Sequence, residues 1–214
     1  MSSVAHRSRQ RERRDDTRRK ILEAAQQFLR SRPYRELSVE TLMADTGLTR
    51  TSFYRHFDDL TQVVLRLLED VGGELYGVAD RWAASAAEDF EGAAREGLAG
   101  IVQFFVRHGP IVHAIAEAAS TDEQIEHGYR GFVMAFEEMA TQGLDEMVAS
   151  GQIDPCDTRQ LARALNLMNE RYLLDQLGRK PRGDPEVALA TLERIWLRSV
   201  GPPRPVDYER SKTR

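Results

Sequence analysis

Apolar positions recur along most of the chain at helical spacing, and no segment alternates as a strand does. Ile21, Leu22, Ala25, Phe28 and Leu29 form the first stripe, which predicts a helix from about Asp16 or Thr17 that breaks at Ser31-Arg32-Pro33. A short second helix is capped at Ser38 and ends at Gly47. Between Thr49 and Phe57, Phe53 and Phe57 are four apart and share an inward face with Leu48, while Arg50, Thr51, Tyr54 and Arg55 fall elsewhere. Asp59, with Gln62 at the capping-box position, opens a long fourth helix with Leu60, Val63, Val64, Leu67, Leu68, Val71 and Leu75 inward. Gly72-Gly73 inside it reads either as a flex point or as a site of close packing.

Further helices are expected from Phe90 to His108, ending at Gly109-Pro110, and from Ile111 to Ala119. Another is capped by Thr121 with Gln124 and runs to about Ser150; the next runs from Asp157 or Thr158 to Gly178. The last follows Asp184-Pro185 and reaches Val200. The prediction is an all-α protein of about nine helices in two domains. A basic flexible arm covers 1–16, a three-helix helix-turn-helix domain 17–62, a helical body 63–200 and a loose tail 201–214.

Charge sharpens this division. The net charge of −4 hides an asymmetry: residues 1–57 hold 13 Lys and Arg against 7 Asp and Glu, and the rest is acidic. A basic head on an acidic body suits a DNA reader carried by a regulatory domain. The second and third helices, joined by a four-residue turn with Gly47, form a helix-turn-helix whose second helix can enter a major groove. Thr49 is placed to cap that helix. The arm carries Arg7, Arg9, Arg11, Arg13, Arg14, Arg18, Arg19 and Lys20, which suit phosphates or a minor groove.

The 214 residues suffice for a proper core. The N-terminus lacks a signal-peptide apolar region and no apolar run is long enough for a bilayer, so no membrane partner is expected. The single cysteine, Cys156, has no partner for a disulfide and fits the cytoplasm. No nucleophile, acid-base pair, metal set or phosphate loop assembles: His108 and His113 are five apart, off helical register. Neither an enzyme nor a cofactor or metal is expected.

The run from Thr17 through Ile21-Leu22-Glu23-Ala24-Ala25, Phe28, Leu37-Ser38-Val39, Gly47-Leu48 and Tyr54-Arg55-His56-Phe57 resembles the DNA-binding domain of the TetR family of bacterial repressors. The resemblance implies a DNA-facing surface of Thr49, Arg50, Thr51, Ser52, Tyr54, Arg55 and His56, with Arg50 and the one or two residues after it at bases, Tyr54 and His56 at phosphates, and Ser38 or Thr41 at a further phosphate. Two positions depart from the family pattern. Leu60 stands where members carry a phosphate-gripping Lys, and Glu40 where some carry a basic base reader.

In the body, Asn166 and Asn169 share a helix face with Leu165 and Met168, and a buried amide costs free energy unless paired. Backbone, a dimer partner or a ligand carbonyl would each serve. The run Ala164-Leu165-Asn166-Leu167-Met168-Asn169-Glu170-Arg171, followed by Ile195-Trp196, resembles the EthR-like branch of the family. That resemblance implies an apolar channel for a small-molecule effector, lined by Phe104, Phe105, Tyr129, Phe132, Phe136, Asn166, Asn169, Tyr172 and Trp196. Tyr129 and Phe136 replace Trp there, and His108 replaces Phe. Glu170 and Arg171 read as a structural pair or dimer contact rather than ligand groups. The resemblance also implies a homodimer through the last two helices, with Leu161, Leu165, Leu173, Leu189, Leu192, Ile195 and Val200 either at that interface or closing the monomer's own core. The expected function is a ligand-responsive regulator, a repressor released from a palindromic DNA operator by an apolar molecule. The alternative is a helical small-molecule-binding dimer without specific DNA recognition.

Overall fold

The computed structural model describes residues 2–44, 46–85 and 89–200, with side chains from residue 14 onward except at 83 and 84. The tail expected at 201–214, Asp45 and the side chains of Arg7, Arg9, Arg11 and Arg13 lie outside the described residues. Among these residues there are eight α-helices and no strand: α1 Ser2–Leu29, α2 Val39–Ala44, α3 Arg50–Phe53, α4 Leu60–Ser85, α5 Phe90–Ala119, α6 Glu123–Ala149, α7 Thr158–Leu177 and α8 Pro185–Ser199. A 3-10 turn at Tyr34–Glu36 links α1 to α2.

Helix α1 starts well before the expected Asp16 or Thr17. No Gly or Pro interrupts the sequence before Pro33, and Asp16 pairs with Arg19 and Lys20 one turn on. The segment expected as an arm is thus helical from Ser2.

The predicted break at Gly109-Pro110 is absent: α5 runs through it, which makes eight helices instead of about nine. Proline inside a helix removes one amide and leaves the carbonyl four residues earlier without its donor. That carbonyl, Val106 O, accepts from Arg182 Nη1 at 3.2 Å. Gly109 packs directly on the end of α7, where a Cβ would stand 2.6 Å from the Leu177 carbonyl oxygen. The pair Gly109-Pro110 therefore serves helix packing, not termination. By length and composition α5 also passes as a membrane span, against the expectation of no such run, but half of its apolar window is buried in the body.

Two cores flank α4. Val63 and Leu67 face the head with Ile21, Phe28, Leu42, Phe53 and Phe57. Val64, Leu68, Val71, Leu75, Val78 and Trp82 face the body. One helix thus belongs to both domains. Gly72 decides its alternative in favour of packing, since a Cβ there would lie 3.1 Å from the Phe132 ring. Leu60 packs half-buried against the head core, which is what occupies the family's lysine position.

Helix α6 is capped by Asp122, not by Thr121. Asp122 Oδ1 accepts from the Gln124 and Ile125 amides at 3.0 and 3.1 Å. Its Oδ2 accepts from Thr61 Oγ1 of α4 at 2.6 Å. Arg35 adds a second bridge between head and body, at 3.2 Å from Glu117. The Thr61 hydroxyl and then the α6 amides hold the Asp122 carboxyl below the usual range. Asp122→Ala should lower stability by about 1–2 kcal/mol, read from denaturant midpoints, because it removes a helix cap.

Candidate functional site

The head is built from turn chemistry. Ser38 and Thr41 cap α2 reciprocally, with Thr41 N donating to Ser38 Oγ at 3.1 Å and Ser38 N to Thr41 Oγ1 at 2.9 Å. Gly47 takes the left-handed conformation that the turn requires, with φ +67°. Thr49 caps α3 by accepting from Ser52 N at 3.2 Å. Phe53 is fully buried and stacks obliquely on Phe57, 5.8 Å between centroids. Helical order ends at Phe53, sooner than the expected Phe57, although Phe57 N still donates to Phe53 O at 3.0 Å.

This frame sorts the nine predicted DNA-facing residues. Thr49, Arg50, Thr51, Tyr54 and Arg55 are exposed together. Ser38, Thr41, Ser52 and His56 are half-buried, and the first three are engaged in the two caps. Tyr54 is 52% exposed while its ring packs edge-on to Phe53, so it serves both surface and core. Arg50 is not free. It forms a short ion pair with Glu40 on α2, and the Tyr54 hydroxyl followed by Glu40 biases its guanidinium further toward the charged form. Sequence reasoning set Glu40 aside as a base reader but had no signal for this pairing.

A second cationic set comes from α1. Burial first, then the charges of Arg14, Arg18 and Arg55, pull the His56 pKa below its ordinary value. Arg18 also lies over the Phe57 ring, 5.6 Å from its centroid. The body has a comparable group. His108 Nε2 lies 2.9 Å from Glu74 Oε2, yet burial, then Arg107 and Arg30, lower its pKa. For both histidines the unfolded chain takes up a proton that the folded chain holds off. Stability should therefore fall as pH drops below about 6.5, and His108→Asn should flatten part of that slope in urea titrations at several pH values.

The body encloses a cavity of about 90 Å³ between α4, α5, α6, α7 and α8. Six predicted residues line it: Phe105, Phe132, Phe136, Asn166, Asn169 and Trp196. Three do not. Phe104 is fully buried in the core against Phe105 and His108. Tyr172 packs half-buried against the core and does not reach the cavity, although it stands only three residues on from Asn169. Tyr129 stands behind the wall, its hydroxyl donating to Glu170 Oε1 at 2.6 Å. Burial and then the Glu170 charge push the Tyr129 phenol far upward, so it remains a donor. Sequence reasoning missed Leu75 of α4, whose apolar stripe looked like ordinary core, and Val78 and Trp82, which lie beyond that stripe, and it read Glu170 as no ligand group although it lines the cavity.

Asn169 is buried, and Trp196 Nε1 donates to its Oδ1 at 3.1 Å. An indole N–H only donates, so this bond fixes which way the amide faces. Its Nδ2 and that of Asn166 are buried without a partner. Native interiors rarely leave such donors unmet.

A helix-turn-helix head sharing one helix with a hollow helical body is the architecture of a transcriptional regulator that reads DNA at one end and senses a ligand at the other. Residues 21–67 match the family described as bacterial regulatory proteins, tetR family, and residues 94–201 match the transcriptional regulator EthR, C-terminal domain. The chain therefore belongs to the TetR family of transcriptional regulators, in its EthR-like branch, and is not an enzyme. It is 29% identical over 191 residues to the HTH-type transcriptional regulator EthR of Mycolicibacterium smegmatis, covering 87% of each chain. EthR of Mycobacterium tuberculosis is 29% identical over 189 residues, 87% of this chain and 88% of that one. Solved transcriptional regulators, some of the TetR family, share the fold. One from Syntrophomonas wolfei has a TM-score of 0.71 at 15% identity, covering 85% of this chain and 93% of its own. A transcriptional regulator from Saccharomonospora viridis, in complex with choline, has 0.67 at 16%, covering 89% and 100%. The chain is thus a ligand-responsive DNA-binding regulator, of a family whose members act as dimers.

Proposed function

We propose that the protein is a cytoplasmic homodimeric repressor, released from a palindromic operator when a small, mostly apolar molecule fills the body cavity. The observation that carries this is the pair of buried, unpartnered amide donors, Asn166 Nδ2 and Asn169 Nδ2, on two residues that line a cavity whose wall is apolar apart from them and Glu170. A ligand acceptor there would satisfy an amide donor that the chain itself leaves unmet. At the head, Arg50 and Thr51 read bases, while Tyr54, Arg55 and His56, with Ser38, Thr41, Thr49 and Ser52 at the margin, meet phosphates. Helix α4 links the two events, since its Leu75, Val78 and Trp82 line the cavity and its Val63 and Leu67 fill the head core.

Dimerisation uses α7 and α8. Leu165, Leu173, Leu192 and Val200 are buried in the monomer's own core, so they do not supply the interface. Leu167 and Val187, 46% and 61% exposed, do, with Leu161, Leu189 and Ile195 partly open beside them. The ligand acts only by preferring the DNA-incompetent state; a hundredfold preference is about 2.7 kcal/mol.

Trp82 and Trp196 are the chain's two tryptophans, and both line the cavity, edge to face at 6.1 Å. Intrinsic fluorescence therefore reports on occupancy. Titrating medium-chain esters and amides should shift the emission and release DNA at the same midpoint, and Asn169→Leu should move both midpoints upward together. If Asn169→Leu leaves both where they were, the cavity is not the effector site.

A further inference from the structure

We infer that the effector's polar head carries an N–H donor beside its acceptor, as a secondary amide does, with Glu170 receiving the N–H. The inference rests on the effector cavity proposed above and names the chemistry of its ligand. Asn166, Asn169 and Glu170 stand at i, i+3 and i+4 on α7 and form one polar strip along a wall that is otherwise apolar. The strip offers two different things. The two amides present Nδ2 donors with no acceptor. Glu170 presents only acceptors, as a carboxylate.

Glu170 is also held in place. Tyr129 on α6 donates to its Oε1 at 2.6 Å, and the phenol, pushed upward in pKa, stays a donor. That bond satisfies the Tyr129 hydroxyl and orients the carboxylate from behind the wall. It leaves Glu170 with further acceptor capacity, since an ionised carboxyl has about four lone-pair sites. A ligand that brings only a carbonyl would satisfy an asparagine and set its remaining apolar or ether atoms against a carboxylate. A ligand that brings a carbonyl and an adjacent N–H satisfies both halves of the strip.

The test compares N-hexylacetamide with hexyl acetate, two molecules of nearly equal shape that differ by N–H against ester oxygen. Binding is followed by emission from Trp82 and Trp196 in the full chain. A cavity offering no acceptor prefers the ester, because the amide N–H loses its water without replacement. The inference predicts the opposite order, with the amide tighter by about tenfold or more, the scale of a donor matched to a buried acceptor. The double variant Glu170→Leu/Tyr129→Phe removes the acceptor without stranding the phenol and should reverse the order, the amide losing its advantage and the ester becoming the tighter ligand. The comparison in the unaltered chain needs no variant to fold. Tighter binding of the ester overturns the role of Glu170 but leaves the cavity as a ligand site. Binding of neither probe overturns the inference together with the cavity reading for ligands of this class. Persistence of the amide preference in a folded double variant overturns it as well.

Discussion

Arg50→Ala is expected to weaken binding to the cognate duplex by about tenfold to a hundredfold and to shrink the preference over a scrambled duplex. A bidentate guanidinium contact to a guanine edge discriminates by about 1–3 kcal/mol. Arg50 is exposed at the start of α3, braced by Tyr54 and paired with Glu40. Two companion variants separate base reading from simple attraction. Arg55→Ala should weaken cognate and scrambled duplexes alike and reduce the salt slope by about one, as loss of a phosphate contact does. Glu40→Ala should act in the opposite direction, raising affinity for any duplex, because it removes a negative charge from the head and frees Arg50. Fluorescence anisotropy with labelled duplexes at several salt concentrations checks all three. Equal loss on both duplexes for Arg50→Ala would reassign that residue to phosphate.

Phe132→Ala should cost about 3–5 kcal/mol, the range for deleting a buried aromatic ring whose surroundings cannot collapse. The ring is buried, stands edge-on to Phe136 at 5.0 Å and to Tyr76 at 6.2 Å, and presses on Gly72 of α4. It is therefore wall, core and α4 contact at once. Its removal enlarges the cavity, so bulkier apolar probes should bind better to the variant than to the unaltered chain even as the denaturant midpoint falls. A loss below about 1 kcal/mol would mean that the body repacks readily, well outside the range for such deletions.

Much of this architecture was legible because it is local. The caps at Ser38, Thr49 and Asp184 and the inward pair Phe53 and Phe57 are set by neighbours a few residues apart. So was the polar character of Asn166 and Asn169 on an apolar face. What the sequence hid depends on distant partners. Gly109-Pro110 signals a helix end unless Arg182, far along the chain, satisfies Val106 O. Phe104 and Phe105 are adjacent aromatics, and only the packing of α5 sends one into the core and the other into the cavity wall. Trp82 lies beyond Leu75, the last position of the α4 stripe, and only its meeting with Trp196 of α8 marks it as cavity wall. The Arg50–Glu40 and Tyr129–Glu170 pairs cross between helices, where no spacing rule in the chain applies.

The most direct test of the account is binding of the purified protein to a duplex selected from genomic DNA, measured against a scrambled duplex across a salt series. The expected result is tight and selective binding, two protomers per duplex, and a steep loss of affinity with salt as counterions are released. Weak binding that is equal for both duplexes, after selection has been allowed to find its best site, would contradict it and leave a helical small-molecule-binding dimer in its place.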